Sequence, residues 1–324
     1  ASDINEMPEN GWYVEGSLIT RLLMGAIGLQ PVRNNRVGLV IDRHPDREIV
    51  TLAVNAASAA RSTLGMEIPW VIELDPPIRM RAATAASGAA VGAVEGLDHL
   101  CDVVRERQHE FDALAVASVV DVKREDHKAY LHARGDLVNP WGGVEAMLTH
   151  AISTLIDRPT AHSPMMANMA VVNEVTELVD PRMAAEEISN AFLHCILKGL
   201  RNAPRVVTDR AAWNQADVLT HRNISCLIQP DGCLGLPTLA ALEQDIPVIA
   251  VRDPNIRMNN DLSTLPFRKD RFFRAENYFE AAGLLAALKS GLAPASLQRP
   301  IADTRVFTET RTPSENLRDA NPAL

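Results

Sequence analysis

Aromatic residues, cysteines, positive charge and long apolar runs are all scarce in this sequence. Phe, Trp and Tyr together make up 4% of the 324 residues, although 47% of the chain is hydrophobic. Large rings therefore cannot fill the interior. Ala, Val and Leu must do so, which suits helices packed closely on a sheet. Lys and Arg number 32 against 41 Asp and Glu, a formal net charge of −9. That balance argues against sequence-independent binding of nucleic acid, which needs clustered cations on phosphates. The four cysteines, Cys101, Cys195, Cys226 and Cys233, form no Cys-x-x-Cys pair. This disfavours a structural zinc site and a disulfide framework, and points to reduced thiols in a cytoplasmic protein. No segment approaches the roughly 20 apolar residues of a membrane helix, and no charged-then-apolar leader opens the chain.

The chain starts at Ala1 without an initiator Met. Trimming, removal of a leader, or cleavage that matures a subunit would each leave such a start. The cysteine pattern weighs against the leader. Cleavage before Ala1 would imply a two-chain protein that pairs with its own upstream fragment.

Strand and helix patterns alternate along the chain. Residues 12–30 show helical spacing of Trp12, Leu18, Leu22, Leu23 and Ile27. An apolar run, Arg36–Asp42, reads as a buried parallel strand. An Ala-rich helix, Ile49–Leu64, ends at Gly65, and a second strand, Pro69–Asp75, closes on Pro76-Pro77. This is a βαβ unit. A small-residue tract over 83–94 permits close backbone approach. A helix over Leu97–Gln108, a strand over Asp112–Val120 and a helix over Val144–Ile156 follow. The second half reads as helix Pro181–Leu200, short strands Arg205–Thr208 and Ile224–Gln229, helix Leu236–Gln244, strand Pro247–Val251, a long loop over 252–275 and helix Ala281–Leu288. The pattern predicts an α/β fold with a mostly parallel sheet flanked by helices. Two closely packed lobes, 1–158 and 159–300, are expected, with a polar tail over 301–324.

Ligands in such folds bind beyond the carboxyl ends of strands, so the post-strand loops hold the candidates. Asp231-Gly232-Cys233-Leu234-Gly235 lies between a strand and a helix. Its glycines permit a tight turn, and the helix start offers free N–H groups to an anion. Cys233 there is a candidate nucleophile with a lowered pKa, against the plain reading of a buried thiol in a structural turn. Asn139-Pro140-Trp141-Gly142-Gly143 precedes a helix in the same way, with Glu145 in its first turn. Glu145 is a candidate base, or a carboxylate that complements the helix dipole. His162, in Ala161-His162-Ser163-Pro164, is a second candidate base, or a hydrogen-bonded loop histidine. His150 joins it as a metal or proton-transfer candidate, without His-x-x-x-His spacing to support a metal. Ser87, ahead of Gly88, is a candidate nucleophile inside a tract that suits packing equally well. Glu186 and Glu187 most simply complement a helix start, and Arg268-Lys269-Asp270-Arg271 reads as a solvated surface or an anion site. Asn255, Met258 and Asn259 sit in a post-strand loop that can line a pocket.

Several stretches in combination carry a family resemblance. They are Trp12-Tyr13-Val14-Glu15-Gly16, Gly28 through Val40, Ala86-Ser87-Gly88, Asn139 through Ala146, Ala161-His162-Ser163-Pro164 and Ala184-Ala185-Glu186-Glu187. Over about residues 1–295 the chain resembles a bacterial and cyanobacterial family, domain of unknown function 3326. The resemblance implies a glycine-rich strand and loop upstream of Ala1 that completes the sheet and part of the site. It also implies an Ala-Cys-Gly-Gly-like turn where this chain has Asp231–Gly235, and a Glu-Glu-Asn segment where it has Arg252-Asp253-Pro254-Asn255. Both departures fall in suspected ligand loops and point to a different substrate.

The expectation drawn from these residues is a hydrolase of a small polar substrate, a cyclic amide or related C–N bond. Ser87 or Cys233 would be the nucleophile and His162 or Glu145 the base. Backbone at Gly142, Gly143 and Gly232, with Gly88, Asn139, Asp231 and Asn255, would bind the ligand. The alternatives are a non-catalytic binder of a small anionic or nucleotide-like metabolite, and a subunit that pairs with its upstream fragment or with its own copies. No cofactor or metal is assigned by these residues.

Overall fold

A computed structural model describes residues 7–86, 88–123, 125–126, 129–130, 137–169, 192–253, 256, 258 and 260–309. Ser87, Asn255, Asn259, Glu186, Glu187 and the start of the helix expected at Pro181 lie outside these residues.

Glu15 caps the first helix, α1 (Gly16–Leu23), by accepting the N–H groups of Ser17 and Leu18. The helix is shorter than the apolar spacing over 12–30 predicts. Gly25 adopts a left-handed φ of +68°, and the chain resumes as strand β1 (Gly28–Gln30). Strand β2 (Val37–Asp42) is buried along its whole length. It feeds α2 (Arg47–Leu64), whose ends are set by Asp46 as N-cap and by Gly65 at φ +62°. β3 (Val71–Leu74) then pairs with β2 in parallel.

The small-residue tract is a hairpin. β4 (Arg79–Thr84) and β5 (Ala90–Glu95) pair antiparallel, with Gly88 at φ +83° in the turn between them. α3 (Leu97–Glu106), β6 (Ala113–Asp121), α4 (Gly142–Ile156) and β7 (Thr160–Met165) follow. Then come α5 (Leu193–Arg201) and β8 (Arg205–Val207), the latter antiparallel to β1. β9 (Leu227–Pro230), α6 (Leu236–Glu243), β10 (Val248–Val251), β11 (Phe272–Ala275) and α7 (Tyr278–Lys289) form a second parallel unit.

The larger sheet runs β3-β2-β6-β4-β5, with β7 also paired to β6. Alternation along β2 and β6 sorts side chains onto two faces. Leu39, Ile41, Ala113, Ala115 and Ala117 meet α2 and α5 through Ile49, Ala53, Ala57, Ala60, Leu193 and Leu197. Val40, Leu114 and Val116 meet α3 and α4 through Leu100, Val104, Val144, Leu148 and Ile152. The first face is an alanine-on-alanine contact, the close packing that a chain poor in aromatic rings requires. β7 and α5 belong to these layers, so the larger sheet continues past residue 158, across the division expected there.

The smaller sheet runs β11-β10-β9. Its core joins Ile249, Val251, Ala275 and Ala281 on one side, and Val248, Ala240 and Ala241 on the other. Leu23 of α1 packs into the latter group. The loop expected over 252–275 ends in strand β11, and residues 301–309 are exposed and without regular structure. Among the described residues no helix is long and apolar enough to cross a membrane.

Candidate functional site

β6 and β7 lie in parallel register, with Val116 opposite His162 and Ser118 opposite Pro164. Ser118 is two residues on from Val116, so it shares a face with His162. α4 crosses that face and brings Glu145, in its first turn, to the carboxyl edge of the sheet. The result is a linear array. The His162 imidazole lies 2.8 Å through Nδ1 from Glu145 Oε1 and 2.7 Å through Nε2 from Ser118 Oγ. A carboxylate only accepts, so Nδ1 carries the proton toward Glu145. In the neutral ring Nε2 then accepts from the Ser118 hydroxyl, whose other neighbour is the polarisable Met80 Sδ at 3.0 Å.

Exposure orders the array. Ser118 is fully buried, the His162 side chain is 1% exposed and that of Glu145 is 21% exposed. A nucleophilic serine triad has the opposite polarity, with the hydroxyl open to substrate and the acid buried. Here the carboxylate is the end that faces outward. The imidazole and hydroxyl behind it fix its position and give Oε1 a hydrogen bond in a dry interior.

A second carboxylate stands beside this array. Glu15 is buried, and its Oε2 holds Ser17 N–H at 2.9 Å while Oε1 lies 3.1 Å from His150 Nε2 and 3.4 Å from Thr149 Oγ1. Thr149 is one turn beyond Glu145 on α4, on the same side of the helix. Tyr13 donates to Thr160 O at 3.0 Å. Burial first, and then the charges of Glu15 and Glu145, push its phenol well above the usual tyrosine range. Tyr13 is therefore a neutral donor beside two carboxylates. His150 belongs with Glu15 rather than with His162. Among the described residues no group of three or more His, Cys, Asp or Glu is placed to hold a metal ion.

Asp42 closes the same face. It follows Ile41, which is paired with Ala117, and so comes level with Ser118 on the neighbouring strand. It is buried, accepts the Ile78 N–H at 3.1 Å and is pushed up by burial to about 7.

The other sequence candidates lie apart from the array or play visible local roles. Asn139 Oδ1 accepts from Trp141 N at 2.9 Å and Gly142 N at 3.3 Å, closing the turn ahead of α4. Gly143 is where α4 touches β5, since a Cβ there would lie 2.2 Å from Ala90 O. Gly88 donates to Ala85 O at 2.9 Å within the β4–β5 turn. At the second loop Asp231 Oδ2 binds Arg274 Nε at 3.1 Å, and Gly232, at φ +89°, receives Asn260 Nδ2 on its carbonyl. The Cys233 thiol is pushed up, not down as a helix start would make it. Burial is the main cause, followed by the nearby carboxylates of Asp253 and Asp231. α6 begins at Leu236, beyond the thiol.

Sequence reasoning finds Glu145 and His162 but not their partner. Ser118 sits in the run Ala115-Val116-Ala117-Ser118-Val119-Val120, and a lone hydroxyl in a buried strand is the one local signal of it. Glu15, Tyr13 and Asp42 carry no chemical signal of their own.

The fold and the array together define an α/β protein with a carboxylate–imidazole–hydroxyl line at the carboxyl edge of its larger sheet. The chain belongs to the family described as Protein of unknown function (DUF3326), whose model matches residues 1–298. It is also similar to an uncharacterised lipoprotein of Synechococcus sp. (strain ATCC 27144 / PCC 6301 / SAUG 1402/1). The two are 30% identical over 294 residues, which cover 88% of this chain and 77% of the relative. No solved structure matches the chain.

Proposed function

We propose that the protein is a hydrolase of a small polar substrate, a cyclic amide or related C–N bond, with Glu145 as its general base and acid. The observation that carries this reading is the polarity of the array: Glu145 is the partly open end, backed by closed His162 and Ser118. Glu145 takes a proton from water as the water oxygen bonds to the carbonyl carbon. The same proton then goes to the nitrogen as the C–N bond breaks. His162 and Ser118 are positioning residues, and Tyr13 is a neutral hydrogen-bond donor nearby.

A panel of cyclic amides and lactones tests the reading. Loss of a positioned general base costs about 10²–10⁴-fold in rate, so Glu145→Gln should fall by that much on any substrate the wild type turns over. Cys233→Ala and Ser87→Ala should retain turnover. Full activity in Glu145→Gln would reject the assignment.

A binder of a small anionic or nucleotide-like metabolite is the second reading, favoured by the inaccessibility of the Ser118 hydroxyl. Stabilisation by a ligand without turnover would establish it. We also propose action in the cytoplasm, which the four unbridged cysteines support. The relative's lipoprotein label suggests the cell envelope instead, and membrane fractionation decides between them. Self-association and pairing with an upstream fragment are carried as proposals that light scattering and the intact mass of the full gene product test.

A further inference from the structure

We propose that a basic cleft at the amino-terminal edge of the β9–β11 sheet binds a small phosphate-bearing metabolite, at a site separate from Glu145. The cleft has a volume of about 480 Å³ and lies where Ser225, Pro247 and Arg271 lead into the three strands. That volume falls within the roughly 300–1,000 Å³ of small-molecule sites.

Its charge is opposite to that of the molecule. Arg222, Arg271 and Lys289 line it against a single acid, Asp245, a surplus of two positive charges (three less one) in a chain of net charge −9. Asp245 is already shared between Arg271 at 3.2 Å and Arg268 at 3.4 Å. Among the described residues Arg222 and Lys289 have no ion-pair partner. Of the run Arg268–Arg271, which by sequence reads as either a solvated surface or an anion site, Arg271 lines the cleft and Arg268 pairs with its acid.

Cations at helix C-termini commonly satisfy exposed carbonyls, and α6 and α7 both end at this edge. Several carbonyls of their last turns are already taken by backbone. Ala240 O accepts from Gln244 N at 3.1 Å and Ala241 O from Ile246 N at 2.8 Å. Ala287 O accepts from Leu292 N at 2.9 Å. These carbonyls therefore do not depend on the guanidinium and ammonium groups.

Phosphate fits these donors best. Its several oxygens can accept from two guanidinium forks and an ammonium at once, whereas one carboxylate saturates on a single fork. Ile246 and Leu288 supply apolar wall for the remainder of the molecule.

The test is calorimetric titration of the full chain with inorganic phosphate and pyrophosphate, with ionic strength held constant by chloride. Wild type should bind saturably, and pyrophosphate should protect it from thermal unfolding. Arg222→Ser with Lys289→Gln should bind at least about tenfold more weakly, as expected for lost charge-assisted bonds, while melting like wild type without ligand. Glu145→Gln should bind pyrophosphate normally, so failure of the hydrolase reading leaves this result standing. Absence of saturable binding, or equal binding by the double variant, would overturn the site. Tighter binding of a short single-stranded oligonucleotide than of pyrophosphate would overturn the ligand class.

Discussion

Asp42 is the residue whose burial has the clearest consequence in solution. Burial raises its carboxyl from 3.8 to about 7 in the folded protein. Between those values the folded state binds a proton that the unfolded state has released. Stability from this group is therefore fully present below the unfolded pKa and is lost as pH rises toward about 7, where the loss levels off. The size is on the order of a few kcal/mol, because each tenfold change in proton affinity is worth about 1.36 kcal/mol. Asp42→Asn keeps an oxygen for the Ile78 N–H and removes the titration. Its stability relative to wild type should thus improve from pH 4 to pH 7, as read by urea midpoints across that range. A constant difference would show that Asp42 titrates in the folded protein as it does when unfolded. Nothing in the strand Arg36–Asp42 announces this, because its terminal Asp reads as an ordinary strand end until Ser118 and Ile78 are placed around it. The same holds for Ser118, whose partner His162 is fixed by register with a strand 44 residues away.

At the scale of elements, the legible parts are those whose pattern is local. β2, α2 and β3 announce themselves through unbroken apolar runs, a long Ala-rich helix and Gly and Pro stops. β7 does not, because Thr160-Ala161-His162-Ser163-Pro164-Met165 mixes buried polar residues with a proline. Among the described residues it pairs with β6 and with no other strand, and a strand edge without a partner tolerates a missing N–H, while His162 is buried by its array and not by apolarity. The paired glycines before Glu145 separate cleanly in space. A Cβ on Gly143 would lie 2.2 Å from a backbone oxygen that cannot turn away, while one on Gly142 would meet nothing closer than Asn139 at 3.9 Å. Gly143→Ala should therefore cost about 1–3 kcal/mol or more through overpacking. Gly142→Ala should lie within about 1 kcal/mol of wild type, by helix propensity. Thermal melting of the pair checks this, and equal midpoints would mean that α4 can slide on β5 freely. Because α4 carries Glu145, Gly143→Ala should also lower any turnover that depends on that carboxylate.

At the scale of the whole molecule, α1 ties helices of the two sheets together. It contacts both α4, over the larger sheet, and α6, over the smaller one. Its sequence divides this work. Glu15, ahead of the helix, reaches Thr149 and His150 on α4, whereas Leu23, at the other end, enters the cluster of Ala240, Ala241, Ile246 and Val248. The apolar spacing of Leu18, Leu22 and Leu23 is legible as a helix. Which bodies it joins depends on residues as distant in the chain as Ala240 and Val248, beyond the reach of local pattern. Leu23→Ala empties a buried position in the small core that α1 shares with α6 and β10, and a buried leucine lost in this way costs about 2–5 kcal/mol. The loss should fall on the smaller sheet. Amide exchange should quicken in α6 and β10 while the Leu39, Ala115 and Ala117 strands keep wild-type protection, because the alanine-on-alanine face of the larger sheet does not touch Leu23. Uniform acceleration across both sheets would instead show that they unfold as one cooperative unit. The same experiment bears on the two proposed sites. If the small sheet loosens alone, pyrophosphate affinity at Arg222 and Lys289 should weaken in Leu23→Ala while turnover dependent on Glu145 is retained.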